Sequence, residues 1–356
     1  MKILHLITTI EVGGAEKHLL QLATAQSKLG HEVRVMYLKG MPQLKRLFEE
    51  QKIEVVTHRW ENFVGVFFLF VRTLSNFKPK VVHVHLPRAE LYARIANLLI
   101  DFDYVISRHN SEPLFFRKSS QLNRALTKFV GKTATGVIYI SESAKKAFTL
   151  RNEMLVNENN TVIYYGLDIK SKTIVNTDLS NFKTKRCFTL SRLTRQKNLE
   201  LLIDVFSELK DWDFVFDIYG EGELEKILQK KICKYGLEDK VRLMGKKTEI
   251  ETIFVDYEYF ILASLYEGFG LAVLEAMNHD KYVIASGTSS ILEILGEEYE
   301  FLFDPTSKNS VKNTIIRAWN EADTATLGYI EKRRKLFAEE DMVSRTLQFY
   351  DSVKAV

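Results

Sequence analysis

The sequence is poor in cysteine and has no long apolar run. Its two cysteines among 356 residues, Cys187 and Cys233, form no C-x-x-C pair, which indicates a reducing compartment and core packing as their role. No segment approaches the ~20 apolar residues that span a bilayer. The first apolar stretch, Ile3 to Ile10, follows a single lysine and precedes no A-x-A-like site. We therefore predict a first strand, not a signal peptide, and a soluble cytoplasmic protein.

The charge of the chain is unevenly distributed. Apolar and charged fractions of 46% and 27% are typical of a soluble globular protein, and 356 residues suffice for two domains. Residues 1–168 carry 23 Lys and Arg against 15 Asp and Glu, whereas the remainder carries 27 against 31. The basic half suggests an anionic partner there, such as a phosphorylated lipid, a membrane surface or nucleic acid. Uneven solubilising charge is the alternative interpretation.

Short apolar runs alternate with helical patterns along the whole chain. This alternation predicts parallel sheets with helices on both faces. A polar stretch from Ile169 to Lys185 interrupts it and is interpreted as an interdomain linker. The predicted strands are Lys2–Thr8, Glu32–Leu38, Glu54–Thr57, Lys80–His85, Tyr104–Ser107, Gly136–Ile140 and Thr161–Tyr164 before the linker, and Cys187–Leu193, Phe214–Tyr219, Val241–Met244, Tyr257–Ala263 and Lys281–Ala285 after it.

The most informative segment runs from Ser264 to Met277. It follows a predicted buried strand, so Glu267, Gly268, Phe269 and Gly270 form the turn at the carboxyl end of that strand and Leu271 begins a helix. Ligands bind at that edge of open α/β sheets, and a new helix offers N–H groups to an anion. Glu275 lies in an apolar stretch of this helix, where an unpaired carboxylate would be costly. Two carboxylates beside an anion site suggest a nucleotide sugar. The alternative interpretation is that Glu267 is a turn carboxylate and Glu275 a solvated helix position.

Other turns at predicted strand ends carry cations or glycines. Arg192 and Lys197 follow the first strand of the second series, where phosphate-binding loops occur, although solvated surface cations would look the same. Gly220-Glu221-Gly222 closes the next strand and lets backbone pass a base or ribose closely, although an ordinary turn is the favoured interpretation of this motif alone. Gly13-Gly14-Ala15-Glu16 begins the first helix, whose N-terminus could bind phosphate. The motif is not the full G-x-G-x-x-G, and a plain turn is equally compatible with it.

Histidines and aspartates supply the remaining candidate patterns. His83-Val84-His85 places two imidazoles on one side of a strand, but no third zinc ligand with suitable spacing is evident, so we predict no metal site. His109 follows the next strand and is expected to face the ligand side, where it could bind a sugar hydroxyl. Asp101-Phe102-Asp103 and Asp211-Trp212-Asp213 precede strands, at the opposite edge, and are better explained as turns.

One basic segment contains aromatic residues and could rest on anionic lipid headgroups, with a solvated helix as the alternative. Its residues are Phe115, Phe116, Arg117, Lys118, Arg124, Lys128 and Lys132.

The ordered set of motifs resembles the retaining glycosyltransferases of family four, whose GT-B fold has two Rossmann-like doubly wound domains facing a cleft. The resemblance implies an N-terminal acceptor-side domain, 1–168, and a C-terminal nucleotide-sugar domain, 186–330, with a last helix, about 338–356, packing back on the first. It covers nearly the whole chain in order. Its motifs are Gly13-Gly14-Ala15-Glu16, His83 to Ala89, Ser107-Arg108-His109, Tyr165-Gly166-Leu167-Asp168, Arg192 with Lys197, Gly220-Glu221-Gly222, and Glu267 to Glu275.

The resemblance also implies roles for the matching residues. Glu275 would hold the ribose and Glu267 would sit by the donor sugar, next to backbone N–H groups from Gly268, Phe269 and Gly270 and the helix start at Leu271. Arg192 and Lys197 would neutralise the diphosphate without a metal. His109 would face the reacting sugar, and Gly14 would lie near the diphosphate or acceptor. Gly220 and Gly222 would complete the donor site.

Two departures from the family pattern concern loops expected near the nucleotide. Asp280-Lys281-Tyr282 and Ser289-Ser290 stand where the family commonly has Gly and Pro.

We predict a cytoplasmic, membrane-peripheral transferase that moves a sugar from a nucleotide sugar, with UDP as the expected nucleotide, to a glycan or lipid-linked acceptor. We expect no cofactor, no metal and no nucleic-acid partner. The alternatives are a non-catalytic sugar-nucleotide-binding subunit, or an epimerase or phosphorylase of the same fold.

Overall fold

The chain divides into two compact units. The computed structural model describes residues 1–58, 62–115, 120–153, 159–169, 184–247 and 251–353. Met1–Asp168 and Phe337–Val356 form the first unit, and Ile169–Leu336 form the second. Most of the predicted linker lies outside the described residues.

The first unit contains a seven-stranded parallel sheet in the order β3-β2-β1-β4-β5-β6-β7. The strand order reverses direction between β1 and β4, which pair with His5 opposite His83. This point is a topological switch of the Rossmann type. The strands are β1 (Lys2–Ile7), β2 (Glu32–Tyr37), β3 (Glu54–Val56), β4 (Val81–His85), β5 (Tyr104–Arg108), β6 (Gly136–Tyr139) and β7 (Asn160–Val162).

Helices cover both faces of this sheet, which is why its central strands are buried from end to end. On one face Leu4, Val82 and Val84 pack against helices α3 and α4. On the other face Ile3 and Val81 pack against α1 and α14. The helices of this unit are α1 (Gly14–Lys28), α2 (Lys45–Glu50), α3 (Phe63–Phe77), α4 (Pro87–Asn97), α5 (Ser120–Gly131), α6 (Glu142–Leu150) and, after the second unit, α14 (Glu339–Ser352).

The second unit repeats this topology with six parallel strands in the order β10-β9-β8-β11-β12-β13. Its switch point lies between β8 and β11, which pair directly. The strands are β8 (Lys185–Leu190), β9 (Phe214–Tyr219), β10 (Val241–Gly245), β11 (Tyr259–Leu262), β12 (Tyr282–Ser286) and β13 (Leu302–Phe303). The helices are α7 (Leu199–Glu208), α8 (Glu225–Tyr235), α9 (Glu251–Phe254), α10 (Leu271–Asn278), α11 (Ser289–Leu295), α12 (Lys308–Glu321) and α13 (Thr324–Arg334), with a 3₁₀ turn at Arg195–Lys197.

The last helix, α14, packs on the sheet of the first unit. Met342 and Tyr350 join the apolar cluster around Ile3 and Val81. The chain enters this helix beside the end of the first unit, where the Leu167 N–H donates to the Phe337 carbonyl at 2.9 Å. No helix within the described residues is both long enough and apolar enough to cross a membrane.

Every predicted strand overlaps an observed one, and the predicted α/β class is confirmed. The two-residue strand β13 was not predicted, because so short a run carries no periodicity. The first strand of the second unit ends at Leu190, three residues before the predicted end. Ser191, Arg192 and Leu193 therefore already belong to the loop that leaves the sheet.

Candidate functional site

The carboxyl ends of β8 and β11 bring two predicted charged residues into contact. Lys197 Nζ donates to Glu267 Oε1 at 2.5 Å, and the Ser264 hydroxyl donates to the same oxygen at 2.6 Å. The side chains of Lys197 and Glu267 are only 14% and 10% exposed. A charge-assisted pair of this kind is shorter and stronger than a neutral hydrogen bond, so it orients both groups at the switch point.

Further hydrogen bonds fasten the loop after β8 to the loop after β11. The Gln196 side-chain amide donates to the Tyr266 carbonyl at 2.8 Å, and the Leu265 N–H donates to the Gln196 carbonyl at 2.8 Å. The Ser290 hydroxyl donates to the Glu267 carbonyl at 3.1 Å. The exposed Arg192 guanidinium reaches Gln196 at 3.5 Å. Residues from three loops thus hold the Lys197–Glu267 pair in place.

Several buried hydroxyls at this sheet edge have no hydrogen-bond partner among the described residues. They belong to Ser191 and Thr194 after β8 and to Ser286 and Thr288 at the end of β12. Buried polar atoms in folded proteins are nearly always paired, so such atoms indicate a missing ligand or water. The unpaired hydroxyls lie in the same loops as Arg192, Lys197 and Ser290, which supports a polar ligand here.

Glycines permit two close approaches at the same edge. Gly220 has φ +143°, and a Cβ there would lie 1.8 Å from the Ser191 carbonyl oxygen, so a larger residue cannot be accommodated. A Cβ on Gly222 would meet backbone atoms of Leu193 at 2.5–2.8 Å. These glycines let the loop after β9 pass directly over the loop after β8.

Helix α10 begins where the sequence predicted, at Leu271, after Gly270 with φ +112°. Phe269 is buried. The Val273 N–H already donates to the Gly270 carbonyl at 2.9 Å, so Leu271 and Ala272 carry the N–H groups that a helix start directs outward. Glu275 is one turn further along and is half-buried. The turn and helix therefore present N–H groups near Glu267, which is chemistry suited to an anion.

One expectation about the departures from the family pattern is wrong. Asp280 and Lys281 lie between the end of α10 and the start of β12, at the amino edge of the sheet, because a helix returns the chain to that edge. Asp280 pairs with Arg334 of α13 at 2.8 Å, and Lys281 donates to the Tyr257 carbonyl at 3.0 Å. They do not line the loops around Glu267, whereas Ser290 does.

The switch point of the first unit is filled by buried histidines. His5 of β1 and His83 and His85 of β4 project from the face that α1 and α14 cover. His85 Nδ1 lies 2.9 Å from His109 Nε2, and the His18 ring of α1 stacks on Tyr165 with centroids 4.1 Å apart. Sequence reasoning missed His5 and His18, and it quoted Tyr165 only within a family motif, without a role.

His109, which was predicted to face a sugar, already uses both ring nitrogens. Nε2 contacts His85, and Nδ1 lies 2.6 Å from the Tyr165 hydroxyl. Burial lowers the pKa of His109 to about 3 and that of His5 to about 4. Both rings are therefore neutral near pH 7. Gly14, at the first position of α1, lies four residues before His18, whose ring centroid is 5.7 Å from that of His109.

The third ring that the H-x-H pattern lacked in the sequence is His5. One ring nitrogen from each of His5, His83 and His85 lies within 4.8 Å of the others, a spacing that could hold a metal ion. All six ring nitrogens are already hydrogen-bonded, to one another or to His109, Gln26, Tyr350 and Ser107. An ion here would have to displace at least one bond from each ring.

Two other sequence patterns lie where the prediction placed them. Asp101 to Asp103 and Asp211 to Asp213 precede β5 and β9, at the amino edges of the sheets.

In the basic segment, Phe116, Arg117 and Lys118 lie outside the described residues. Arg124 donates to the Arg151 carbonyl at 3.2 Å and Lys128 to Asn152 at 3.3 Å, on the half-exposed surface of α5.

Comparison with known families accounts for nearly the whole chain. Residues 12–171 match the family described as Glycosyltransferase Family 4, and residues 172–336 match the family described as Glycosyl transferases group 1. An uncharacterised glycosyltransferase of Methanocaldococcus jannaschii is 25% identical over 280 residues, which are 77% of this chain and 75% of that protein. A phosphatidylinositol N-acetylglucosaminyltransferase subunit of Arabidopsis thaliana is 23% identical over 364 residues, covering 95% and 78%.

Among solved structures, Anabaena HepE in complex with UDP and glucose is similar to this chain. Its TM-score is 0.83 at 22% identity, over 99% of this chain and 100% of that chain. This likeness confirms the predicted GT-B fold with two Rossmann-like domains.

Proposed function

We propose that this chain, which belongs to the glycosyltransferases of family four, moves a sugar from a nucleoside diphosphate to a hydroxyl of a glycan or lipid-linked acceptor. The observation that carries the proposal is the Lys197–Glu267 pair at the switch point of the second unit, among buried hydroxyls that lack a partner within the described residues. Cations, hydroxyls and helix N–H groups at one sheet edge suit a diphosphate with a sugar attached.

In this proposal the leaving group is stabilised by charge. When the bond between the anomeric carbon and the phosphate oxygen breaks, negative charge grows on the diphosphate, beside Lys197 and Arg192. Backbone N–H groups of Gly268, Phe269 and Gly270 and of the α10 start at Leu271 add to this stabilisation. Glu267 contacts the donor sugar, and Glu275 holds the ribose. Gly220 and Gly222 give the nucleotide room to approach the backbone.

We further propose that the reaction retains the anomeric configuration and needs no metal. The acceptor hydroxyl attacks the face from which the diphosphate departs, and a departing phosphate oxygen takes its proton. No covalent sugar–enzyme bond is required, since Glu267 is held by Lys197 and Ser264 and serves as a contact. In the first unit, His109 faces the reacting sugar and Gly14 lies near the diphosphate or acceptor.

The names and bound ligands of related proteins support a narrower substrate class. HepE was solved with UDP and glucose, which supports a UDP-sugar donor. The plant relative is named for phosphatidylinositol and N-acetylglucosamine, which supports a lipid acceptor. The donor sugar is to be identified by incubating the purified chain with a panel of UDP- and GDP-sugars. Thermal shift and release of the nucleoside diphosphate are measured.

A bound donor at 100 times its Kd should stabilise the chain by about 2.7 kcal/mol. A UDP-sugar that raises Tm and is slowly hydrolysed supports a transferase. A donor that binds but is neither hydrolysed nor transferred would instead support a binding subunit without catalytic activity. If no nucleotide sugar bound, the proposal would be rejected.

A surface of the first unit fits a peripheral contact with anionic membrane. Helix α3 exposes Val64, Phe68 and Arg72 at four-residue spacing, so they share one face. Helix α4 contacts both α3 and α5, and α5 adds exposed Leu122 and Phe129 next to Lys128. Apolar side chains beside cations suit the boundary between headgroups and acyl chains.

Co-sedimentation with vesicles tests this contact. Vesicles with phosphatidylserine should bind the chain, and Phe68→Ser should weaken binding. Leu336→Ser, at a comparably exposed leucine of the second unit, serves as the control. Equal binding to neutral vesicles, or no loss with Phe68→Ser, would argue against this surface.

A further inference from the structure

Eight side chains of the first unit form one continuous chain of hydrogen bonds. The links measure 2.6, 2.9, 3.1, 2.8, 3.4, 2.6 and 2.7 Å in order. This hydrogen-bond chain crosses from the loop after β7 through the switch point to α1, α14 and β5. Its members, in order, are Tyr165, His109, His85, His5, Gln26, Tyr350, His83 and Ser107.

The proton positions in this chain depend on one another. A neutral imidazole carries a single N–H, so a ring that donates from one nitrogen must accept at the other. The Gln26 amide oxygen, which faces His5 Nε2, can only accept, and His5 therefore carries its proton on Nε2. His5 Nδ1 must then accept from His85 Nε2, and His85 Nδ1 must accept from His109 Nε2.

The last link follows by the same rule. His109 Nδ1 has no proton, so it accepts from the Tyr165 hydroxyl. Burial raises the pKa of Tyr165 well above its usual value, and the phenol therefore keeps its proton. Reversing any one link would require all of them to reverse together with the orientation of the Gln26 amide.

We propose that Gln26 is a positioning residue that acts through His5 and His85 to hold His109 as its Nε2–H tautomer. Of the six ring nitrogens in these three histidines, His109 Nδ1 is the one that faces a hydroxyl, that of Tyr165, and not a ring or an amide. Any ligand that His109 binds through this nitrogen must therefore offer a hydrogen-bond donor in exchange for the Tyr165 hydroxyl. A sugar or acceptor hydroxyl fulfils this requirement, and this part of the inference rests on the proposed transferase function.

Nitrogen NMR of the protein labelled with ¹⁵N-histidine tests the tautomer directly, because protonated and bare ring nitrogens resonate far apart. The measurement needs no donor or acceptor, so it stands even if the proposed reaction is wrong. The His109 signals are identified by their loss in His109→Asn. We expect the wild-type chain to show protonated Nε2 and bare Nδ1 at His5, His85 and His109.

Gln26→Met keeps the side-chain length and removes the acceptor. The hydrogen bonds can then run in either direction, so both His109 tautomers are populated and the two His109 nitrogen shifts should move towards each other. The value of kcat/KM should fall about fivefold, which corresponds to the loss of one neutral hydrogen bond. Thr346→Val is the matched control, since its buried hydroxyl donates to the Met342 carbonyl within α14 and has no other partner among the residues that the structure describes. Its His109 signals should match those of the wild type.

Three results would overturn the proposal. One is a wild-type His109 with its proton on Nδ1, which is decisive even if Gln26→Met fails to fold. Another is a folded Gln26→Met whose His109 shifts are unchanged. The third is stoichiometric zinc that survives dialysis of the wild-type protein and is lost with His5→Leu. A metal would occupy ring nitrogens that the hydrogen-bond chain requires.

Discussion

The two units use the same strand order but fill their switch points with different chemistry. Between β8 and β11 the second unit places an ion pair, Lys197–Glu267, near buried hydroxyls that have no partner in the described part of the chain. Between β1 and β4 the first unit places His5 and His83, both neutral, buried and fully hydrogen-bonded. Both edges leave buried polar atoms without a partner among the described residues, at the first edge Thr8 Oγ1, His18 Nδ1 and Asn110 Oδ1. The edges differ in what surrounds these atoms, which is an ion pair at the second and neutral histidines at the first. The shared topology does not determine which chemistry occupies it.

The largest expected effect tests whether charge is what matters at the second switch point. Lys197→Ala removes a cation from beside the departing diphosphate, and losing one such preorganised group typically costs about 10²–10³ in kcat. Steady-state kinetics with the donor that the panel of nucleotide sugars identifies measure this loss. The control is Lys312→Ala, which removes another lysine of the same unit that pairs with a glutamate, Glu208, at 2.8 Å on the surface.

Lys312→Ala should change the free energy of unfolding by less than ~1 kcal/mol, as exposed pairs do, and leave kcat unchanged. If Lys197→Ala and Lys312→Ala had equal rates, the two switch points would not differ in the way described.

The second prediction concerns acid and the first switch point. The unfolded histidine pKa is 6.5, and the folded values for His5 and His109 are about 4 and about 3. Between these values the unfolded chain binds more protons, so stability is fully present above pH 6.5 and falls as pH decreases towards 4. His5 alone contributes about 3 kcal/mol over its window. Seven of the eight histidines belong to residues 1–168, so the first unit should destabilise first.

Hydrogen exchange at pH 7 and pH 5, corrected for the intrinsic rates and resolved by peptide, measures the two units separately. Buried carboxylates with raised pKa occur in both units, for example Glu90 and Glu258, and do not distinguish them. His279→Gln, at the single histidine of the second unit, should leave the acid response of the first unchanged. Equal loss of protection in both units would contradict the prediction.

The second switch point could largely be predicted from the sequence. Its strand ends are marked by apolar runs that stop at serine, Ser191 after β8 and Ser264 after β11, and Lys197 and Glu267 follow in the loops that these serines begin. Parallel strands bring those ends to one edge, so two separate patterns meet. The same rule places Asp280 at the opposite edge, and applying it to the loop after α10 would have avoided that error.

The first switch point could not be predicted in the same way. His5 interrupts the apolar run from Ile3 to Ile7, and only the pairing of β1 with β4 shows that it adjoins His83. Gln26 and Tyr350 are 324 residues apart in the sequence, and no local pattern predicts their contact. A network made by long-range packing leaves no periodicity or spacing to detect.

The smallest expected effect separates the two switch points by a matched pair of serines. Ser264 donates to Glu267 in the second unit at 2.6 Å, and Ser107 contacts His83 Nε2 in the first at 2.7 Å; both are buried. A hydrogen bond to a charged group contributes about 1.5–3 kcal/mol, so Ser264→Ala should lower kcat/KM about tenfold or more.

Ser107→Ala should act on stability instead. It leaves the His83 N–H without its acceptor, which costs about 1–3 kcal/mol of unfolding free energy. The value of kcat/KM should stay within about twofold of wild type, because His83 and Ser107 lie at the end of the hydrogen-bond chain that is farthest from His109. Denaturant unfolding and kinetics on both variants measure the contrast. If Ser107→Ala were the more damaging to activity, the first switch point would contact substrate through His83, and the contrast between a charged catalytic edge and a neutral histidine edge would fail.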